Sequence, residues 1–348
     1  MSSMVDWKFA VQVGARAAGA GPVVSQAQAD EVVAQLRADA ARSTDLVRDY
    51  TGLDAPAGTA PVLVVDRRGW VQANADGFRT IIDPVTERLL ERRLAERGPR
   101  AKDPRDGVVG AVGSRVSGAE VGLLLGYLSG KVLGQFDPFH APSGRLLLVA
   151  PNIVHVEREI GADPDDFRLW VCLHEETHRV QFTAVDWLRE YVFAEMMAMT
   201  ETLSPAGLDE TLKRVAHAVR SEEGSLMDAV STPEQRVILD RITAVMSLLE
   251  GHADVVMDGV GPSVIGSVAA IRKSFNQRRG GVGTLDRLLR RLLGMDAKMA
   301  QYRDGAAFVR HVLDATDMDT FNRVWESPET LPTRDEIADP AAWLARVP

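Results

Sequence analysis

Two histidines and a glutamate, spaced as in an HExxH pattern, are the residues of this chain best suited to chemistry. The segment His174-Glu175-Glu176-Thr177-His178 places two imidazoles four residues apart. On an α-helix, four residues turn the chain by about 400°, so both rings lie within about 40° of one face. They could grip one metal ion, while Glu175 could reach a water on that ion without binding the ion itself. The pattern predicts a ligand pair, His174 and His178, with a general base, Glu175, beside it.

A catalytic zinc ion normally takes three protein ligands and a water, so a third ligand must lie elsewhere. Gln181 and Ala184 stand where the HExxHxxGxxH pattern has its glycine and its third histidine, which excludes that arrangement. In the later segment EGHAD, Glu250 and Asp254 share a helix face. Glu250 could then bind the ion while Asp254 accepts the free N–H of a ligand histidine. His252 competes for the third-ligand role, but it lies about 200° around the helix from Glu250, so both cannot face one ion. We favour Glu250 as the third ligand.

Each of these residues also has a plainer structural interpretation. The two histidines could be a hydrogen-bonded pair in the core, and Glu250 and Asp254 could form an exposed acidic face. Apolar neighbours favour burial of both segments, and buried histidines need polar partners. A further donor to a developing oxyanion could come from His155, Tyr127 or Tyr191, and the sequence leaves these three alternatives open.

Hydrophobic periodicity predicts mostly helix around these segments, with little strand. Two strands are expected, Val62–Val65 and Arg145–His155. Because the second contains Pro151, it is expected at a sheet edge, where it could bind an extended peptide. A loop is expected over Gly98–Gly113. The predicted helices are one or two between Ser25 and Gly52, then Asn74–Arg97, Ser117–Leu133, Asp165–Arg189, Tyr191–Leu203, Leu208–Arg220, Pro233–Met257, Gly266–Arg278 and Leu285–Leu293.

Capping residues and glycines refine this pattern. Ser25 with Gln28, Asp163 with Pro164, and Thr232 with Gln235 are typical of helix starts. A glycine at every fourth position would destabilise a helix by about 0.5–1 kcal/mol each unless it allowed a close contact. We therefore expect close packing against another helix along the stripe formed by Gly118, Gly122, Gly126 and Gly130.

Composition excludes several classes of protein. The 348 residues are 45% hydrophobic and 26% charged, which is typical of a globular chain, and the net charge of −9 argues against nucleic acid as a partner. One cysteine, Cys172, excludes an intramolecular disulfide and fits a cytoplasmic location. The longest apolar run, Val121–Gly134, contains Lys131 and is shorter than the roughly 20 residues that span a bilayer, so no membrane span is expected. Asp6 and Lys8 interrupt any signal-peptide core.

The segments around both motifs resemble known proteins. HEETH followed by EGHAD is similar to the gluzincin pattern, HExxH with a later ExxxD. More closely, Phe167–Phe182, Leu146–Ile153 and Leu249–Asp258 resemble a family of actinobacterial zincin-fold proteins, catalogued as zinc-dependent metalloproteases associated with deazaflavin coenzyme biosynthesis. Val5–Trp7 and Gly21–Val23 are also similar, so the resemblance covers nearly the whole chain. It implies a zincin-like fold with one Zn²⁺ per chain. The link to coenzyme biosynthesis implies an association and does not identify the reaction.

These inferences combine into one expectation for fold and function. The fold would be mainly α with a small β-sheet, a zincin-like α+β unit over 1–348. An upper part, 1–190, would hold the sheet and the metal helix, and a lower helical part, 191–348, would supply Glu250. The predicted activity is hydrolysis of an amide bond in a peptide or small amide substrate, by a zinc-activated water with Glu175 as general base. The alternative is a zinc-bearing helical scaffold that binds a partner and cleaves nothing.

Overall fold

A computed structural model shows a mainly helical protein with one small sheet, as predicted. The structure describes residues 3–56, 58, 60–97, 103, 105, 107–202, 232–280 and 295–347, so the predicted helices Leu208–Arg220 and Leu285–Leu293 lie outside the described residues. In chain order the elements are α1 (Trp7–Ala17), α2 (Gln26–Thr51), β1 (Val62–Val65), α3 (Arg67–Arg97), α4 (Gly107–Ser129), β2 (Gly134–Asp137), β3 (Arg145–Val149), α5 (Ala150–Ile160), α6 (Pro164–Ala184), α7 (Leu188–Glu201), α8 (Pro233–Val264), α9 (Val268–Gly280), α10 (Met295–Ala315), α11 (Met318–Phe321), the 3-10 turns Asn322–Trp325 and Pro328–Thr330, α12 (Arg334–Ala338) and α13 (Pro340–Arg346).

The predicted helix starts are confirmed by their capping bonds. Ser25 and Gln28 exchange side-chain and backbone hydrogen bonds at the start of α2, and Thr232 and Gln235 do the same at the start of α8. The Asp163 carboxylate accepts two backbone N–H groups in the first turn of α6. Each contact satisfies donors that a helix start otherwise leaves unpaired, which is why these boundaries are readable from sequence.

The sheet has the order β1-β3-β2. Strand β1 runs parallel to β3, with Val62 opposite Leu146, and β2 runs antiparallel to β3, with Gly134 opposite Leu148. All five residues of β3 are buried, because this strand lies in the middle of the sheet and both of its faces are covered. A strand in this position reads as a continuous apolar run rather than an alternating one.

The predicted strand Arg145–His155 is wrong in its extent and in its position. It ends at Val149, and the helix α5 follows at once. Pro151 lies in the first helical turn, where a missing N–H removes no helical hydrogen bond. Because β3 is paired on both sides, it cannot bind a peptide by strand addition, and Pro151 belongs to α5 rather than to a strand.

Several helix boundaries also differ from the predictions. Helix α3 begins at Arg67 rather than Asn74, and α6 ends at Ala184 rather than Arg189. The second half of the expected loop Gly98–Gly113 is helical, since α4 begins at Gly107. Valines in this segment extend the apolar helix toward its N-terminus, although the glycines beside them indicate a loop in the sequence alone.

Helix α4 is longer and more apolar than the run Val121–Gly134 indicated. It has 23 residues, and its most apolar 18-residue window has a mean hydropathy of 1.4 with 17% of that window buried. By length and composition alone such a helix could cross a membrane, although core helices of other proteins pass the same test. The expectation that the chain has no membrane span stays a prediction.

The glycine stripe of α4 packs closely against α1, as predicted. A Cβ added at Gly118 would lie 2.6 Å from the carbonyl oxygen of Asp6, and one added at Gly126 would lie 2.6 Å from the Cβ of Ala17. Gly130 takes no part, since the nearest heavy atom to its added Cβ is 3.8 Å away. The two helices therefore touch at backbone distance along most of the stripe.

Two large groups of buried side chains hold the site in place. The first surrounds α6 and includes Leu36 of α2, Leu148 of β3 and Leu173 of α6. The second lies beneath α8 and includes Leu248 and Phe308. Helix α8 contributes to both groups, so packing on two sides fixes its position. The division of the chain near residue 190 stays a prediction.

Replacing Gly126 by alanine should lower the free energy of unfolding, whereas the same change at Gly113 in the same helix should raise it. An alanine at position 126 would overpack the contact with α1, which costs about 1–3 kcal/mol. Among the described residues, no heavy atom outside the helix backbone and the neighbouring residues lies within 4 Å of a Cβ added at Gly113. Alanine there gains helix propensity of about 0.5–1 kcal/mol. Urea unfolding measures both, and equal effects would contradict close packing of α1 with α4.

Candidate metal centre

Helix α6 presents its two histidines on one face, one turn apart. The ring centroids of His174 and His178 are 4.8 Å apart and the rings are nearly perpendicular. Their side chains are 22% and 14% exposed, so both are largely shielded from solvent while remaining reachable from one side. The helical periodicity of the HExxH pattern has therefore brought the two imidazoles together as predicted.

The opposite face of α6 is fixed against α2 by a buried polar contact. Glu176 is fully buried, and its Oε2 accepts hydrogen bonds from Arg179 Nε at 2.5 Å and from Thr44 Oγ1 at 3.1 Å. Burial raises the pKa of Glu176, and the adjacent guanidinium opposes that rise. Because Glu176 lies about 200° from either histidine around the helix, this contact sets the rotation that faces the histidines away from α2.

Glu250 of α8 completes a group of three donors. Its Oε2 lies 3.7 Å from His174 Nε2 and 3.5 Å from His178 Nε2. The ligand atoms of the three residues all lie within 4.8 Å of one another. Zinc bonds of about 2.0–2.1 Å at tetrahedral angles require donor separations of about 3.3 Å. Two imidazole nitrogens and one carboxylate oxygen at these distances therefore fit a zinc ion.

Glu250 also controls the charge of its neighbour. Burial alone would lower the pKa of His178, but the hydrogen bond and negative charge of Glu250, with the charge of Glu175, raise the pKa above its ordinary value. The carboxylates thus favour positive charge at the point where the three donors converge. A cation in that position would be stabilised by the same charges.

Glu175 lies between α6 and the edge of the sheet. The residue is 7% exposed, and β2 packs against α6 beside it. A Cβ added at Gly134, the first residue of β2, would lie 2.5 Å from the Cγ of Glu175. Only glycine leaves room for the carboxylate here. Sequence reasoning missed Gly134, because a single glycine at a strand end carries no pattern that ties it to a residue in a distant helix.

The structure pairs Asp254 with two arginines, which corrects the predicted contact with a ligand histidine. Its Oδ1 lies 3.1 Å from Arg272 Nη1 and its Oδ2 lies 2.9 Å from Arg310 Nη2. Asp258 joins the same two arginines one turn further along α8. The second carboxylate of the ExxxD pattern is therefore used to tie α8 to α9 and α10.

Gln181 stands in the place predicted for Asp254. Its Oε1 lies 3.0 Å from His178 Nδ1, and its Nε2 lies 3.0 Å from the carbonyl oxygen of Leu249 and 2.9 Å from His252 Nδ1. The side chain is fully buried. The sequence offered one signal for it, since Gln181 is three residues after His178 and so lies next to it on a helix.

His252, the competing candidate for the third ligand, lies behind Gln181. Its ring is fully buried and stacks on Phe321 at a centroid distance of 5.2 Å, with Trp325 at 5.6 Å. Burial, with a contribution from the charge of His178, lowers the pKa of His252 to about 3. The ring is therefore neutral at physiological pH, and the structure brings Glu250 rather than His252 to the two histidines.

The three candidates for an oxyanion-stabilising donor are engaged in other contacts. His155 Nε2 lies 3.7 Å from Glu159 Oε2 on α5. The ring of Tyr127 carries Lys131 Nζ at 5.5 Å from its centroid. The ring of Tyr191, on α7, packs edge-on against Trp187 with ring centroids 6.0 Å apart. None of the three is assigned to the site by these contacts.

An HExxH helix whose histidines meet a glutamate from a later helix, beside a small mixed sheet, defines the zincin class of metallopeptidases. The chain belongs to the zincin-like metallopeptidase family, whose model matches residues 5–344. It is similar to a proposed hydrolase with a novel fold from Chloroflexus aurantiacus, known from a crystal structure, with 34% identity, a TM-score of 0.72 and 98% of each chain covered. None of the curated protein sequences compared with the chain matches it. The predicted actinobacterial origin and coenzyme link stay predictions.

Replacing His178 by alanine should abolish zinc binding, whereas Asp254→Asn should leave it intact. The first change removes one of three donors, and the second removes a carboxylate that pairs with arginines rather than with a histidine. Metal analysis of the purified variants after dialysis against zinc measures the difference. Loss of zinc from Asp254→Asn alone would contradict the assignment of Asp254 to the contact between α8, α9 and α10.

Proposed function

We propose that this protein is a zinc-dependent metallopeptidase that hydrolyses an amide bond of a peptide or small amide. The observation that carries the proposal is the convergence of His174, His178 and Glu250, with the Glu175 carboxylate beside them. A purely structural zinc site has no need of a carboxylate adjacent to its ligands. Membership of a metallopeptidase family and likeness to a proposed hydrolase support the same reaction class.

Each residue of the centre has a distinct part in this reaction. His174, His178 and Glu250 would hold the ion. A zinc ion bound there would supply polarisation of the substrate carbonyl and a water whose pKa is lowered to about 7. The Glu175 carboxylate accepts a proton from the attacking water and donates it to the nitrogen of the leaving amine. Glu175 is 7% exposed, so its carboxylate is largely shielded from bulk water.

The substrate would lie along β2 rather than β3. Among the described residues, β2 ends the sheet on the side of α6, so its outer edge can pair with an extended chain. Gly134 of this strand touches Glu175, which puts the general base within reach of a peptide bond lying on that edge. An extended peptide would therefore still bind by strand addition, as the sequence suggests, but it would pair with β2 instead of β3.

Glu175→Gln should keep zinc and lose turnover. Glutamine has nearly the same shape as glutamate but accepts no proton at neutral pH. Loss of a general base lowers rates by about 10²–10⁴-fold. Incubating wild type and variant with a mixed peptide library, followed by mass spectrometry of the products, measures turnover, and metal analysis provides the control for binding.

Two outcomes of that experiment would contradict the proposal in different ways. Unchanged cleavage by Glu175→Gln would show that another group is the base. Full zinc occupancy in wild type with no cleavage of any library member, and a melting temperature that falls on chelation, would favour the alternative of a zinc-bearing scaffold that binds a partner.

Gly134→Ala should also reduce turnover while keeping zinc. The new methyl group would displace the Glu175 side chain, since its Cβ would lie 2.5 Å from Cγ. A misplacement of about 1 Å at a reacting group costs about 10²-fold in rate. Gly130→Ala is the matched control, because the nearest heavy atom to its Cβ is 3.8 Å away. Equal turnover in both variants would contradict the role given to the contact between β2 and Glu175.

A further inference from the structure

We propose that Gln181 is the positioning residue of the metal centre, where its carboxamide sets the tautomer of His178 and ties that histidine to the backbone that carries Glu250. The inference rests on the proposed zinc site and extends it, because it identifies how two ligands from different helices are kept in register. It follows from the hydrogen bonds that surround one buried amide.

The orientation of the Gln181 amide is fixed by a neighbour that can only accept. The carbonyl oxygen of Leu249 lies 3.0 Å from one end of the amide, so that end must be the NH₂ group. The oxygen then faces His178 Nδ1 at 3.0 Å, and that nitrogen must carry the proton. His178 Nε2, which lies 3.5 Å from Glu250 Oε2, is thereby left with its lone pair available to a metal.

The second N–H of Gln181 is also used. It lies 2.9 Å from His252 Nδ1, and the ring of His252 is held by stacking on Phe321 and contact with Trp325. The amide is fully buried, so turning it over would place its oxygen against the carbonyl of Leu249. An unsatisfied buried donor or acceptor costs about 1–3 kcal/mol, and a turn of the amide would create more than one.

This amide couples the two helices of the site. Leu249 directly precedes Glu250 on α8, while Gln181 and His178 share α6. The side chain of Gln181 therefore hydrogen-bonds both to the imidazole of one ligand, His178, and to the backbone next to another, Glu250. A carboxylate could accept from His178 but could not donate to Leu249, which explains why the amide suits this position better than the more common acidic partner.

Zinc affinity tests this role without any need for a substrate. Zinc dissociation constants, measured by competition with a chromogenic chelator, are compared for wild type, Gln181→Met and Gln181→Glu. Loss of a group that orients a metal ligand typically costs about 10–100-fold in metal affinity. We expect a loss of that size for Gln181→Met, and Gln181→Glu should not restore wild-type affinity, because its carboxylate would face the carbonyl oxygen of Leu249, which can only accept.

Asn152→Leu is the matched control for simple loss of a buried amide. Asn152 is 1% exposed, donates to the carbonyls of Ser129 and Val132 at 2.7 and 2.6 Å, and accepts from Arg67 Nε at 2.7 Å. It thus makes the same number of hydrogen bonds on a different helix. This variant should melt at a lower temperature and bind zinc as wild type does. Equal zinc affinity in wild type and Gln181→Met, or equal losses in Gln181→Met and Asn152→Leu, would overturn the proposal.

A measurement on the unmodified protein covers the case in which the Gln181 variants do not fold. In metal-free wild type, at a pH where the imidazoles are neutral, ¹⁵N spectra of the histidine rings should show His178 protonated at Nδ1. A proton at Nε2 would overturn the proposal. Failure of wild type to bind zinc would overturn both the metal centre and this inference. Zinc binding without hydrolysis would refute the proposed activity alone, and the affinity comparison would still decide the role of Gln181.

Discussion

The distance between α6 and α8 is the constraint on which the site depends, because α6 supplies two of the three donors and α8 supplies the third. Gln181 bridges the two helices on one side, with its Nε2 3.0 Å from the carbonyl of Leu249. On its other side, α8 meets α10 at a pair of glycines, where a Cβ added at Gly251 would overlap the backbone of Gly305. Glu250 is adjacent to both contacts, so its helix can move neither toward nor away from the histidines without breaking one of them.

The polar groups of α6 also explain why a buried helix can hold a rigid site. A hydrophobic helix would be free to rotate by small amounts within its core, whereas unpaired buried polar groups are costly. Glu176 with Arg179 and Thr44 secures the face toward α2, and Gln181 secures the face toward α8. The histidines lie between these two sets of bonds. Their orientation is therefore fixed by hydrogen bonds that do not involve the metal position itself.

Features set by local geometry could be predicted from the sequence, and features set by contacts across the fold could not. The HExxH spacing determines where two side chains lie on a helix, and Asp163 determines where that helix starts, whatever surrounds them. The place of β3 in the sheet depends on its pairing with β2 and with β1, which lies about 80 residues earlier, so Pro151 just beyond the end of β3 wrongly indicates an edge strand. The fit of Gly134 to Glu175 depends in the same way on a strand meeting a helix some 40 residues later.

The roles of Asp254 and Gln181 show what helical periodicity can decide. Periodicity correctly put Asp254 near the face of Glu250, but it did not determine what lies opposite one turn further along α8. There the structure has Arg272 and Arg310, whose charges hold the carboxylate. The contact of Gln181 with His178 does not depend on distant residues, because a side chain three positions later on the same helix is already within reach. The acceptor for a ligand histidine is therefore more safely sought on the helix of that histidine than one turn beyond the third ligand.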